Sequence, residues 1–245
     1  MRLLGHGLWV VTLTFLTQLG GIAWLIACLS RHRWAAFLGT YAVLSVGAAF
    51  VAPQMGRVPL PCIGEPLRMQ SLIYCAMNRH YVVPEMALVL QDLAEATEAR
   101  HPRTPTLVLD ASFPFGDGFP LLPHLSHDDG EKVDLAFHYR DADGYRRGVT
   151  RSPIGYFAFE QGRTDCAKRF PTLRWDLDWL QPLWPDLTPD RPRMRTVMAH
   201  LTADRRVGKI LLEPHLTASW GVAHPKVRFQ GCHAARHDDH IHIQL

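Results

Sequence analysis

Two long stretches without a charged side chain dominate the hydrophobic pattern at the start of the chain. They run from Gly7 to Leu29 and from Trp34 to Gly56, 23 residues each. At about 1.5 Å of rise per residue, a helix of that length spans roughly 33 Å, and the hydrocarbon layer of a membrane is about 30 Å thick. The pattern therefore predicts two transmembrane helices, over residues 7–29 and 34–56.

The positive charges near these stretches predict their orientation. Arg31 and Arg33 lie in the short loop between them, and positively charged loops tend to stay in the cytoplasm, while Arg2 offers weaker competition. Both ends of the hairpin then face outward. Two alternatives are a cleaved signal peptide, which has a shorter apolar region, and a buried hydrophobic hairpin of a soluble protein.

The remaining pattern mixes helical and strand periodicities. In Pro84 to Arg100, the apolar residues Met86, Val89, Leu90 and Leu93 share one helical stripe, and Pro102 prevents continuation. Strands are expected at 106–112, 133–140, 209–215 and in the final HIHIQL, a hairpin turn at 141–144, a loop at 113–125, and helices at 172–184 and 193–203. Because strands and helices do not alternate regularly, we expect an α+β fold with a mainly antiparallel sheet flanked by helices.

Charge and cysteine content narrow the function classes. The net charge of the 245 residues is only +3, and no basic block is present, so nucleic-acid binding has no support. Cys28 lies in the first apolar stretch, and Cys62, Cys75, Cys166 and Cys232 all follow the second one, on the side predicted to be oxidising. These four cysteines permit three pairings, and one or two disulfides are expected.

The histidines provide the strongest chemical signal. In the ending HDDHIHIQL, residues two apart on a strand share a face, which puts His240 and His242 together, while His237 approaches from the preceding loop. Far upstream, PHLSHDDGEKVDL places His127 in a loop and Asp134 at the start of a strand. Catalytic zinc sites use three nitrogen or oxygen ligands and leave a fourth position for water. His127, Asp134 and His242 would supply such a set.

Together, the two motifs resemble the penicillin-insensitive murein endopeptidases, zinc peptidases related to lysostaphin and to D-alanyl-D-alanine carboxypeptidases. The resemblance runs from about Thr106 to the C-terminus and excludes the first hundred residues. It implies that His127, Asp134 and His242 bind zinc. It also implies that His240 and His237 lie beside the metal as base and transition-state stabiliser.

The sequence departs from the family pattern at two positions near these motifs. Lys132 stands where the family usually has an acidic residue, and Arg236 stands where a glycine is common. Asp239 is an alternative base, because related carboxypeptidases carry a catalytic glutamate three residues before this ligand. On a strand, however, Asp239 should point away from His242. His124 could line the pocket, although a surface role is the more ordinary one for a loop histidine next to proline.

The resemblance implies an enzyme that cuts peptide bonds in peptidoglycan stem peptides or cross-links with zinc-activated water. We expect residues 1–57 to form the membrane hairpin, 58–105 a linker and helical lead-in, and 106–245 the zinc peptidase domain. The chain would be anchored in the inner membrane with this domain facing the periplasm. The alternative is a non-catalytic zinc-binding module that recognises cell-wall peptides or a membrane partner.

Overall fold

The computed structural model describes residues 2–162, 166 and 172–245, and the chain divides into two compact units made of separated stretches. The first unit consists of Met1–Leu60, Leu72–Ala87 and Asp110–Lys132. The second consists of Pro61–Ser71, Leu88–Leu109 and Val133–Leu245.

The described residues contain seven α-helices and eleven short strands. The helices are α1 (Arg2–Thr17), α2 (Gly20–Ala27), α3 (Arg33–Val51), α4 (Leu72–Ala76), α5 (Pro84–Arg100), α6 (Arg191–Ala203) and α7 (Pro214–Trp220). The strands are β1 (Val58–Pro59), β2 (Leu67–Met69), β3 (Tyr81–Val82), β4 (Thr106–Val108), β5 (Lys132–Ala136), β6 (Tyr139–Asp141), β7 (Gly144–Arg146), β8 (Thr188–Pro189), β9 (Lys209–Leu211), β10 (Val227–Arg228) and β11 (His240–Gln244).

The N-terminal apolar region differs from the predicted pair of spanning helices. The helical segment Arg33–Met55, which joins α3 to a 3₁₀ turn, is long and apolar enough to cross a membrane. The predicted span at 7–29 is instead broken into α1 and α2, with Gln18 between them at a φ of 64°. One membrane-length helix is therefore present in the described residues, and the prediction of two is not supported.

A tertiary contact explains the break at Gln18. Its side-chain amide donates to the carbonyl of Phe115 at 2.6 Å and accepts from the Phe115 amide at 3.1 Å. The Thr17 hydroxyl also accepts from the Gly20 amide at 2.9 Å, which caps the start of α2. The Thr17 bond supplies an acceptor to the first amide of α2, and the Gln18 bonds attach the break to the loop that contains Phe115.

The second unit carries a six-stranded sheet in the order β10-β9-β11-β5-β4-β2. β9 pairs with β10 in parallel and β2 with β4 in parallel, whereas β11 is antiparallel to β9 and β4 to β5. The α+β class is thus confirmed, and the sheet is mixed, with parallel as well as antiparallel pairs. The parallel pairs arise because helices intervene in the chain between their strands: α4 and α5 between β2 and β4, and α7 between β9 and β10.

Several predicted elements match the structure closely. α5 covers the predicted range, and its stripe residues Met86, Val89, Leu90 and Leu93 are all fully buried. The predicted turn at 141–144 joins β6 to β7 in an antiparallel hairpin.

The predicted helix at 172–184 is wrong. The segment is irregular apart from a 3₁₀ turn at Gln181–Leu183. Side-chain bonds to distant residues fix it instead: Arg174 pairs with Glu213 at 2.8 Å, and Gln181 donates to the carbonyl of Phe157 at 3.0 Å.

The disulfides expected among the cysteines after the apolar region are present. Cys166 is bonded to Cys232, Cys62 and Cys75 are also in disulfides, and Cys28 is a free thiol.

The start of α6 offers a test of one local interaction. Asp190 is the N-cap, and its buried carboxylate accepts from the Arg193 amide at 3.1 Å. We expect Asp190→Ala to destabilise the protein by about 1–2 kcal/mol, because it leaves a helix-end amide without its acceptor. Thermal unfolding should then show a midpoint lower by about 2–8 °C. Asp186→Ala removes an exposed carboxylate just before the helix and should leave the midpoint unchanged; an equal drop in both variants would contradict the capping role.

Candidate metal centre

Strand β11 presents its two histidines to one carboxylate. His242 Nδ1 lies 2.9 Å from Asp134 Oδ1, and His240 Nε2 lies 3.6 Å from the same oxygen. The intervening Ile241 and the following Ile243 are fully buried. The predicted alternation of β11 is therefore confirmed, with both histidines on the face that meets Asp134.

His127, Asp134 and His242 form a buried group that could hold a metal ion. Each offers one ligand atom, and these atoms lie within 4.8 Å of one another. All three residues are at most 5% exposed. Two imidazoles and one carboxylate are a donor set suited to zinc.

His237 completes a cluster of aromatic rings in the second unit. Its ring centroid lies 5.0 Å from that of His240 and 5.8 Å from that of His242. Its backbone is bonded to Glu213 in both directions: the Glu213 amide donates to the His237 carbonyl, and the His237 amide donates to the Glu213 carboxylate. The two histidines predicted to work beside the metal are thus adjacent to each other and to His242.

Asp239 does not face the ligand group in the manner of a competing base. Its Oδ1 lies 2.5 Å from His240 Nδ1, and its Oδ2 accepts from the Phe157 amide at 2.6 Å. Although burial by itself would lower the pKa of His240, the carboxylates of Asp134 and Asp239 raise it to about 9. Asp239 therefore orients and charges His240, which the strand geometry alone did not predict.

Tyr156 is a contact that the sequence motifs did not indicate. Its hydroxyl donates to Asp134 Oδ2 at 2.7 Å, and its ring packs edge-on against His240. The preceding Gly155 has a φ of 81°, and a Cβ there would lie 2.2 Å from Leu109 Cδ2. A glycine is thus required next to Tyr156, both for the backbone conformation and for the close approach of Leu109.

A separate polar network surrounds His124 in the first unit. His124 Nδ1 lies 2.8 Å from Asp110 Oδ2, Arg79 Nε donates to Asp110 Oδ1 at 2.9 Å, and the His124 ring centroid is 5.3 Å from that of His127. Although burial opposes a charge on Asp110, Arg79 holds the pKa of that carboxyl below its usual value. His124 is therefore held by a buried ion pair and is not only a surface residue.

The two residues that depart from the family pattern are both paired with acids. Lys132 bonds to Asp129 three residues before it. Arg236 contacts Asp238 and Asp176, and its guanidinium lies 4.3 Å from the centroid of the Phe159 ring. The positive charge of each residue is therefore balanced by a neighbouring carboxylate.

The tyrosine contact yields a test of metal binding. We expect Tyr156→Phe to bind zinc about 10–100-fold more weakly, since hydrogen bonds to a ligand carboxylate orient it and set its basicity. Competition against a chromogenic chelator measures the affinity. Tyr145→Phe removes the same hydroxyl from the β6–β7 hairpin and should bind zinc like the wild type; equal affinities for all three proteins would rule out this role of Tyr156.

No protein-family model matches the chain, and no curated protein matches it. The likeness to murein endopeptidases therefore rests on the residues of the sequence itself.

Proposed function

We propose that this chain is a membrane-anchored zinc metallopeptidase that cleaves peptide bonds in peptidoglycan stem peptides or cross-links. The observation that carries the proposal is the buried group of His127, Asp134 and His242. Two further histidines, His237 and His240, lie against it. A structural zinc site has four protein ligands, whereas three ligands beside further acid–base groups are typical of a hydrolytic site.

The donors fit zinc better than the common alternatives. Magnesium and calcium prefer sites built from oxygen ligands, whereas two imidazoles and a carboxylate suit zinc. Zinc bound there would polarise a peptide carbonyl and lower the pKa of a bound water towards about 7.

The surrounding side chains would position the proton transfers. With Nδ1 fixed by Asp239, His240 directs its Nε2 towards Asp134. A cation bound to Asp134 would offset the negative charge that keeps His240 protonated, so that His240 would be able to take up the proton of the attacking water. His237 would donate a hydrogen bond to the carbonyl oxygen as that oxygen gains charge. Tyr156 would keep the Asp134 carboxylate in one orientation.

Location and substrate class rest on other features. The membrane-length segment Arg33–Met55 would anchor the chain in the inner membrane. Disulfides persist in oxidising compartments, so the bonded cysteines support a periplasmic position for the rest of the chain. The peptidoglycan substrate is supported by the resemblance of the motifs.

The proposal is tested on the full-length protein in detergent. We expect about one zinc per chain by elemental analysis and cleavage of cross-linked muropeptides detected by liquid chromatography. His242→Ala should lose most of its zinc and all detectable cleavage, because only two of three ligands remain. His224→Ala removes an exposed histidine and should behave like the wild type. Full zinc occupancy without any cleavage product would overturn the proposed peptidase function and favour the non-catalytic zinc-binding module.

A second test addresses the contact between Asp239 and His240. Asp239→Asn keeps the side-chain volume but removes the charge that holds His240, so we expect kcat to fall at least about tenfold while KM and zinc content stay unchanged. Asp178→Asn changes an exposed carboxylate of the irregular 172–184 segment and serves as the control. Wild-type kcat in Asp239→Asn would show that the carboxylate has no part in the reaction.

A further inference from the structure

The second unit contains a cavity of about 810 Å³ that includes none of the residues assigned to the metal centre. Its apolar wall is formed by Leu187, Leu216 and the buried Trp220. Its volume lies within the range of small-molecule sites, roughly 300–1,000 Å³, and such sites combine an apolar lining with a few polar groups. The cavity therefore has the size and composition of a ligand site.

The charges around the cavity favour an anion. Arg140 and Arg191 line the cavity with exposed side chains. Neither arginine forms an ion pair with another described residue. Of the two acids in the lining, Glu160 is paired with Arg151 at 3.1 Å, which leaves the exposed Asp186. Three arginines against two acids give an excess of positive charge.

Hydrogen-bonding groups in the wall point to the same ligand chemistry. Arg151 Nε is buried and has no hydrogen-bond partner among the described residues. The His215 ring lies within reach of the Glu160 backbone, and at least one of its two ring nitrogens has no hydrogen-bond partner among the described residues. His215 Nε2 is 3.9 Å from Asp238 Oδ2, too far for a hydrogen bond. Buried donors of this kind are normally satisfied, so an acceptor brought by a ligand would complete the wall.

The carboxyl group of Glu160 does not prevent an anion from binding. Burial raises the pKa of Glu160 to about 7, although Arg151 opposes the shift. Near neutral pH this group is only partly ionised, and its repulsion of a second carboxylate is reduced accordingly.

We propose that this cavity is a binding site for a small carboxylate ligand, separate from the metal centre. Arg140 and Arg191 attract the carboxylate, Arg151 and His215 donate hydrogen bonds to it, and the apolar wall contacts its carbon skeleton. The site would admit a free organic acid or the acidic end of a peptide.

Three test ligands with five-carbon skeletons separate charge from shape. They are glutarate, which is anionic, glutaramide, which is neutral, and cadaverine, which is cationic. Trp220 reports locally when the full-length protein is labelled with 5-fluorotryptophan, and its ¹⁹F resonance is assigned from its disappearance in Trp220→Phe. We expect saturable shifts of this resonance with glutarate and none with the other two. Equal binding of glutaramide, or preference for cadaverine, would overturn the proposal.

Amino-acid substitutions test whether glutarate binds in this cavity. The double variant Arg140→Gln/Arg191→Gln changes two exposed residues and should raise the apparent Kd for glutarate at least tenfold. Arg205→Gln removes an exposed arginine outside the cavity and should leave the Kd unchanged. His242→Ala should also bind glutarate normally, whatever its zinc content, which separates this site from the proposed peptidase centre. Loss of binding in His242→Ala, or unchanged binding in the double variant, would overturn the proposal.

Discussion

A buried carboxylate must be balanced by cations or hydrogen-bond donors, and Asp134 imposes this requirement on the centre of the sheet. Its oxygens meet the Tyr156 hydroxyl, His242 and His240. Asp134 lies on β5, whereas Tyr156 lies in a loop and both histidines lie on β11. The charge of Asp134 can therefore be accommodated only when these three segments are assembled. A metal cation in the same group would satisfy the same requirement, which connects the stability of this region with metal binding.

Further ion pairs hold the chain that leads into β11. Arg236 pairs with Asp238, and Arg174 pairs with Glu213, whose backbone and carboxylate both bond to His237. The arginines neutralise acids that are themselves fully buried. Because such pairs are costly to break once buried, they fix the backbone on which His237 and Asp239 are carried. The histidines of the cluster are therefore positioned by ion pairs that involve their neighbours in the chain and the distant pair of Arg174 and Glu213.

The sequence predicted those features that depend on local periodicity. The stripe of α5, the hairpin between β6 and β7, and the shared face of His240 and His242 all follow from spacing, and the structure has each of them. Features set by distant partners were missed. Gln18 ends α1 because it bonds to Phe115, and the 172–184 segment is irregular because Arg174 and Gln181 bond elsewhere. Likewise, Tyr156 and Asp110 belong to no motif, and only their tertiary contacts reveal them.

The position of β11 in the sheet has a consequence for biosynthesis. It follows the other five strands of the sheet in chain order, yet it lies between β9 and β5, so the two parts of the sheet are joined only through it. Pairing across such sequence distances is delayed until both partners are available. His240 and His242 arrive with the same strand. A chain that emerges N-terminus first would thus carry no assembled group of His127, Asp134 and His242 until β11 had been synthesised.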